Sequence, residues 1–346
     1  MKQTQWRIQA KKADFEAIGA EFGISAVTAR LIRNRNVTGS EAINRYLNGK
    51  IDALYDPMLL PDMEKALLLL KQKIEEGKPI RIVGDYDIDG ICSTYLLYRA
   101  LCRVGARADY EIPDRIKDGY GINASIIQAA AEDGIDTILT CDNGISAIDQ
   151  AKLAKDLGMT MIITDHHDIR QDESGRDLLP EASAIVNPKR RDSVYPYPEI
   201  CGGMVAYKLV KGLYQLFSVP EAEWEELIEF AALATVGDVM KLQDENRIVV
   251  KEGLKHIAGT QNLGLRKLIE KNNLNPARIT AYHIGFVIGP CLNASGRLET
   301  AKLALSLLLS EDEGEADELA GRLKELNDIR KEMTAKNVEL AADIVE

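Results

Sequence analysis

The sequence predicts an α/β protein: a parallel sheet with helices on both faces, followed by a helical subdomain and a long connecting helix. Three observations predict it. Short apolar runs alternate with helix-period stretches between residues 63 and 186, a rhythm that right-handed crossovers turn into a parallel sheet. The runs 80–83, 137–140 and 160–164 each end within two residues of an aspartate, so polar groups gather at one sheet edge. Beyond residue 200 the strand patterns give way to helical ones.

In chain order, residues 1–60 read as a small helical appendage, with helix-spaced apolar residues at Phe15 and Ile18 and over 26–32. Asp56-Pro57 and Leu60-Pro61 then punctuate the chain. The amphipathic stretch 63–76 is a helix, ended by Gly77 and Pro79. Residues 80–91, I-R-I-V-G-D-Y-D-I-D-G-I, pass from an apolar strand into three alternating carboxylates, and a helix is expected after Gly90 as far as Cys102. Next come a strand at 108–112, the loop 113–121 (P-D-R-I-K-D-G-Y-G), a helix at 124–132 and a strand at 137–140 ending in Cys141-Asp142-Asn143-Gly144. A helix at 147–157 leads to the strand 160–164 and Asp165-His166-His167-Asp168. The strand 184–186 ends in Asn187-Pro188 and the basic run Lys189, Arg190, Arg191, read as a solvated turn in preference to a contact. Helices are expected at 202–217 and 223–236, the second running into Asp238, and helical stretches with polar breaks fill 241–310. Over 311–346 Leu319, Leu323, Leu326, Met333, Leu340 and Ile344 share one face. Such a stripe suggests a missing partner, a further domain beyond residue 346. The boundaries expected are an α/β domain over 61–240, a helical subdomain over 241–310 and a connecting helix over 311–346.

Lys and Arg number 43 against 54 Asp and Glu, a net charge of −11, which argues against holding nucleic acid by overall basicity and leaves room for a local basic groove. The five cysteines are scattered and never paired as C-x-x-C, so neither a disulfide framework nor a thiolate zinc site is indicated. No stretch reads as a signal peptide or approaches a membrane span. A cytoplasmic location without membrane association is expected.

On one sheet edge Asp87, Asp89, Asp142 and His166 converge. Crowded carboxylates need a counter-charge, and hard oxygen donors with an imidazole suit manganese, with magnesium as the alternative. In isolation 85–89 also reads as an Asp-rich turn, without the spacing or closing Glu of an EF-hand. Together Asp85, Asp87, Asp89, Asp142, His166 and Asp238 provide donors for two ions about 3.5–4 Å apart, the arrangement of metal-assisted phosphoester or phosphoanhydride hydrolysis. Adjacent residues in extended chain point opposite ways. One imidazole of the His166-His167 pair can therefore ligate metal while the other faces substrate or donates a hydrogen bond, and Asp165 is placed to orient a ring. Neither a G-x-x-x-x-G-K-[ST] loop nor G-x-G-x-x-G occurs. Cys141, beside a carboxylate cluster, is read as structural, and His256 and His283 as unrelated to the site.

The ordered set V-G-D-Y-D-I-D-G, T-C-D-N-G-I-S, I-T-D-H-H-D, I-V-N-P-K-R and V-G-D-V-M resembles the successive motifs of the DHH phosphoesterase superfamily. P-D-R-I-K-D-G-Y-G, D-E-N-R-I-V-V-K-E-G-L and G-P-C-L-N-A-S-G-R-L are similar to the RecJ type within it, the single-strand-specific DNA exonucleases. The resemblance implies metal ligation by Asp87, Asp89, Asp142, His166 and Asp238, a contribution from Asp85, and His167 beside the scissile phosphate. It also implies a groove walled by Asn293 and Arg297 on one side and by Arg115, Lys117 and Tyr120 on the other, with Tyr120 stacking on a base. From the residues alone, the first pair also reads as a helix-capping turn with a surface arginine, and the second group as a surface loop. Cys291 stands where relatives carry arginine, which predicts one phosphate contact fewer, and the glycine-histidine-rich substrate motif of the family's second domain is absent from 346 residues.

The function implied is a metal-dependent 5′-to-3′ exonuclease on single-stranded DNA, acting in repair and recombination, with a single-strand-binding protein or a recombination helicase as partners. The alternatives are a phosphodiesterase on short oligoribonucleotides or cyclic dinucleotides, and a non-catalytic DNA-binding scaffold. A pyrophosphatase is disfavoured because Val83 stands where those enzymes carry histidine.

Overall fold

The computed structural model describes residues 11–115, 119 and 121–345. It opens with three short helices, α1 (Phe15–Phe22), α2 (Ala26–Asn34) and α3 (Ser40–Asn48). Asp14 and Ser25 start the first two by accepting the N–H groups of Ala17 and Thr28. The third was not foreseen, since Ile43, Tyr46 and Leu47 are all that mark its apolar face. These helices pack around Ile32, Ile43 and Tyr46, a cluster separate from the main core.

The α/β layer follows as α4 (Met63–Glu75), β1 (Pro79–Val83), α5 (Ile88–Arg103), β2 (Arg107–Glu111), α6 (Ala124–Glu132), β3 (Thr137–Cys141), α7 (Ile148–Asp156), β4 (Thr160–Thr164) and β5 (Ala184–Val186). The strands form one parallel sheet in the order β2-β1-β3-β4-β5. Successive side chains of a strand face opposite ways. Ile80, Ile82, Leu139 and Ile162 therefore join the main core, while Val83, Ile138, Met161 and Ile163 pack on the other face with Ile127, Ala151 and Ala154 of α6 and α7. Central β3 is buried along its whole length, which a sheet covered on both faces requires. Strand order reverses between β1 and β3, and open α/β sheets bind ligands outside the carboxyl ends at such a point.

The helical part comprises α8 (Gly202–Leu216), α9 (Glu221–Glu226), α10 (Ile228–Gly237), α11 (Asp244–Ile257), α12 (Leu263–Lys271), α13 (Ala281–His283), a π-helical turn Ile284–Ile288, α14 (Gly289–Leu298), α15 (Lys302–Leu309) and α16 (Glu313–Val345). The single helix expected over 223–236 is two, α9 and α10, which meet at Leu227. The main apolar cluster runs without interruption from Leu54 to Leu323, so sheet and helices share one core. Within it Lys208 Nζ lies 2.6 Å from Glu245 and donates to the carbonyl of Tyr55 at 2.5 Å. Glu245 also accepts the Tyr55 N–H at 2.6 Å and the Tyr195 hydroxyl. Both buried charges have partners, the condition under which such a pair is tolerated, and together they fasten the N-terminal segment to α8 and α11.

The expected stripe on α16 divides in two. Ala316, Ala320, Leu323 and Leu326 are buried, whereas Met333, Leu340 and Ile344 are exposed, as is every residue from 331 to 344. Among the described residues no helix is long and apolar enough to cross a membrane.

Candidate metal centre

The carboxyl edge of the sheet is built one strand at a time. Beyond β1 a Cβ at Gly84 would collide with Thr94, and one at Gly90 would collide with the Asp85 backbone. Glycine at both positions lets α5 start directly against the strand end. It starts at Ile88, not after Gly90 as the sequence suggested, because Asp87 is its N-cap: Oδ1 accepts the N–H groups of Asp89 at 2.9 Å and Gly90 at 3.1 Å. A second residue holds the same turn from across the fold. Asn293 Oδ1 on α14 accepts the Ile88 N–H at 2.7 Å.

Asp89, in the first turn of α5, meets another helix start. Gly202 N–H donates to Oδ2 at 2.8 Å and Gly203 N–H to Oδ1 at 2.6 Å, placing the positive end of α8 on this carboxylate. A Cβ on Gly202 would lie 2.6 Å from that of Asp142, and one on Gly203 would collide with Ala234. The glycine pair is what lets α8 approach. Sequence reading passed over it, and two adjacent glycines at a helix start were its visible signal.

Beyond β3, Asp142 takes a left-handed backbone with φ of 60°, which aspartate tolerates better than most residues. Asn143 Nδ2 donates to the carbonyls of Val83 at 3.0 Å and Cys141 at 2.9 Å, joining β1 to β3 where strand order reverses. Beyond β4, Asp165 Oδ1 accepts the backbone N–H groups of His166 and His167 and lies 2.7 Å from His167 Nδ1. Its Oδ2 accepts the Ile145 N–H at 2.9 Å. Asp165 therefore orients His167. His166 lies beside it, the two ring centres 4.4 Å apart, so the rings do not face opposite ways as expected of adjacent residues in extended chain; His166 Nε2 is 3.1 Å from Asp142, 3.5 Å from Asp89 and 3.7 Å from Asp238.

The charges do not balance within the protein. Burial, then repulsion from Asp87, pushes Asp85 up to about 7. Burial carries Asp89 and Asp238 to about 6 and Asp142 well above the carboxylate range. His166 is lowered by burial. Burial alone would lower His167 and raise Asp165, but their hydrogen bond reverses both, so the imidazole is raised and the carboxyl lowered. Among the described residues, Asp85 Oδ1 and both ring nitrogens of His166 are buried without a hydrogen-bond partner, a condition costly for a polar group.

These are the properties of a cation site. Donor atoms fall into three groups, each within 4.8 Å: Asp89, His166 and Asp238; Asp85, Asp87 and Asp142; and Asp142, His166 and His167. The first two would each hold one divalent ion, with the Asp142–His166 contact between them. Carboxylate oxygens with one imidazole suit manganese or magnesium.

The other expected residues are spread around this edge. Arg115 is exposed, its guanidinium 5.2 Å from the centre of the Tyr86 ring. Arg297 is exposed, and its charge also acts on Tyr86. Tyr86, unremarked in the sequence, is the link between the two arginines. Lys117 and Tyr120 lie outside the described residues. Asn293 is half-buried and engaged with α5, in place of an open groove position. Cys291 is buried within 3.8 Å of Asn272 and Asn327, so its own side chain faces the interior. The run 189–191 is not simply a solvated turn: Arg190 bridges Asp62, Asp192 and the Ile185 carbonyl, and Lys189 donates to Asp168 at 2.9 Å. Cys141 is buried, its thiol pushed up to about 12 by burial. His283 accepts the Thr280 N–H at the start of α13, and His256 lies in the last turn of α11.

Comparison with known proteins gives a consistent picture. The family model for the DHH family, N-terminal domain, matches residues 79–237. A Bacillus subtilis protein, single-stranded-DNA-specific exonuclease RecJ, is 38% identical over 343 residues, which are 99% of this chain and 42% of that one. A crystal structure of exonuclease RecJ bound to manganese superposes with a TM-score of 0.73 at 32% identity, covering 81% of this chain and 69% of that one. RecJ from Thermus thermophilus in complex with Mn2+ gives a TM-score of 0.78 at 28% identity over 94% of this chain and 45% of that one. The chain spans less than half the length of its Bacillus subtilis relative.

Proposed function

From the premise that the chain belongs to the DHH family, in its RecJ-type branch, we propose that it is a metal-dependent exonuclease acting on single-stranded DNA from the 5′ end. The observation that carries the reading is His166 Nε2 standing among three carboxylates with no aligned hydrogen bond. The relatives' names supply the substrate.

Asp89, His166 and Asp238 would hold one cation, and Asp85, Asp87 and Asp142 the other. When bound, such ions lower the pKa of a water and offset charge on the reacting phosphate. Hydrolysis adds water across one P–O bond: hydroxide goes to phosphorus and a proton to the departing oxygen, leaving a nucleoside monophosphate and a strand one residue shorter. His167 is the proposed proton donor. Its Nδ1 is fixed by Asp165, so Nε2 is the nitrogen that would deliver the proton to the leaving oxygen. Arg115 and Arg297, both acting on Tyr86, would flank a single strand, contacting phosphates while the phenol offers a face to a base. Residues 61–240 form the proposed catalytic unit, 241–310 its helical support and 311–346 a connecting helix. The exposed part of α16 supports a protein partner, for which the resemblance supplies a single-strand-binding protein or a recombination helicase. A cytoplasmic site of action and a role in repair and recombination complete the reading.

The test is manganese-dependent release of nucleotides from 5′- and 3′-labelled single strands, comparing the chain with Asp142→Ala. Release from the 5′ label first, lost in the variant, is expected. Equal loss of both labels would reject the polarity, and activity surviving the substitution would reject the metal centre.

A further inference from the structure

The reaction proposed above makes no use of the N-terminal helices. There α1 and α2 are joined by three residues, Gly23, Ile24 and Ser25, and two packed helices with a glycine-containing turn of that length form a helix-turn-helix. Gly23 closes α1 in the left-handed backbone, φ 65°. A Cβ on Gly19 would lie 2.7 Å from the Ile24 carbonyl oxygen, so glycine there lets the turn fold back onto α1. Ile18, Phe22 and Ile24 pack with Ile32, Ile43 and Tyr46, which makes α3 the third helix of the unit. The body of the protein holds the unit through α3 and the residues after it. Arg45 Nε lies 3.0 Å from Asp244, and Arg247 and Lys251 donate to the carbonyls of Tyr46 and Gly49. On α2, Ala29 and Ile32 face inward, while Val27 is 68% and Leu31 50% exposed.

The charge of this segment is unlike that of the chain. Residues 22–40 hold three arginines, Arg30, Arg33 and Arg35, and no Asp or Glu, within a protein of net charge −11. None of the three has a carboxylate partner among the described residues: Arg30 lies over the Phe15 ring, and Arg35 donates to the Leu31 carbonyl. Lys11 adds a further cation, its Nζ donating to the Asn34 carbonyl at the end of α2 at 3.0 Å. Uncommitted cations on an outward helix complement a polyanion. We propose that this three-helix unit binds double-stranded DNA, with α2 lying in the major groove. That groove is about 12 Å wide and admits a helix, and the second helix of such a unit turns its first residues to the base edges. Val27 and Leu31, one turn apart, meet thymine methyl groups there, and the arginines and Lys11 meet phosphates. Duplex binding does not depend on the exonuclease reading; combined with it, the substrate is a duplex that carries a single-stranded tail.

The test is fluorescence anisotropy of a labelled blunt DNA duplex of about 20 base pairs, two helical turns, with the whole chain in chelator at about 50 mM salt. A dissociation constant of about 10 μM or tighter is expected, weakening steeply with salt. Arg30→Glu with Arg33→Glu should weaken duplex binding at least about tenfold and reduce the salt slope by about 2, one unit for each phosphate contact. Binding of a single strand of equal length should change less than about threefold. If melting curves show the doubly reversed variant unfolded, Arg33→Gln takes its place, with a loss of about threefold expected. No duplex binding at about 100 μM, which would assign the face to a protein, overturns the proposal. So does a variant that binds duplex as the parent does, or one that loses single strand and duplex equally. Equal competition by an RNA duplex of the same sequence, whose major groove is too narrow for a helix, overturns it as well. A chain that releases no nucleotides yet binds duplex through these arginines would refute the exonuclease reading alone.

Discussion

Asp142 is the residue on which both halves of the centre depend, and its φ of 60° and its burial set two separate requirements. Asparagine meets the backbone requirement and removes the charge. Asp142→Asn should lower nucleotide release at least about 100-fold, as loss of a group essential to the chemistry does. It should also raise the metal-free thermal midpoint by about 2 °C or more, since about 1 kcal/mol of relieved repulsion makes a shift of that size, and abolish the upward shift that manganese gives the parent. A nucleotide-release assay reads the first effect, and melting curves with and without manganese read the other two. The pH dependence follows from the same carboxyls. With folded values near 7 for Asp85 and 6 for Asp89 and Asp238, against about 4 unfolded, the folded state binds more protons. Stability is greatest below the unfolded value and falls as pH rises through the folded ones. The raised His167 changes stability in the same sense. The metal-free midpoint should therefore drop between about pH 5 and 8 while the manganese-induced gain grows; a flat metal-free profile would contradict the buried cluster. The six carboxylate and imidazole positions that meet at this edge were legible in the sequence because each follows an apolar strand or helix that fixes where it emerges. Asp165 was legible as the residue that orients a ring, but not that the ring is His167, since that depends on χ angles that only the packed edge decides.

At the scale of elements, two helix starts meet at Asp89. The α8 start needs Gly202 and Gly203, so Gly202→Ala should push Asp142 and α8 apart, weaken manganese binding at least tenfold in a titration, and lower the thermal midpoint. The α5 start needs Asn293. Removing its acceptor should cost about 1 kcal/mol, and Asn293→Asp, which keeps an acceptor but adds a charge beside the carboxylates, should recover stability and still bind metal differently from the parent. Chemical denaturation with a parallel metal titration separates the two effects. All five strands were found within a residue or two, because strong apolar runs bounded by Gly and Asp leave few alternatives. The division between α9 and α10 was missed because a continuous apolar pattern carries no sign of a break at Leu227. Asn293 was read as a groove residue, and its partner Ile88, 205 residues earlier in the chain, was not legible because it is a consequence of tertiary packing.

For the whole molecule, metal and fold should be linked. An ion that binds only the folded state at about 100 times its dissociation constant adds about 2.7 kcal/mol, so a chelator should lower the thermal midpoint and excess manganese should restore it. Deleting residues 331–346 should leave that midpoint within about 1 °C, because the described side chains there are exposed and contribute little burial. That exposed end has a geometrical consequence. An α-helix turns about 100° and advances about 1.5 Å with each residue. Inserting one residue within 331–340 would swing whatever is attached beyond by more than a quarter turn, whereas inserting seven would return it to within about 20° of its original bearing and only lengthen the reach. The far half of α16 would thus act as an angular dial for any body fused to it, whose bearing the rotational phase of the helix, more than its composition, would set.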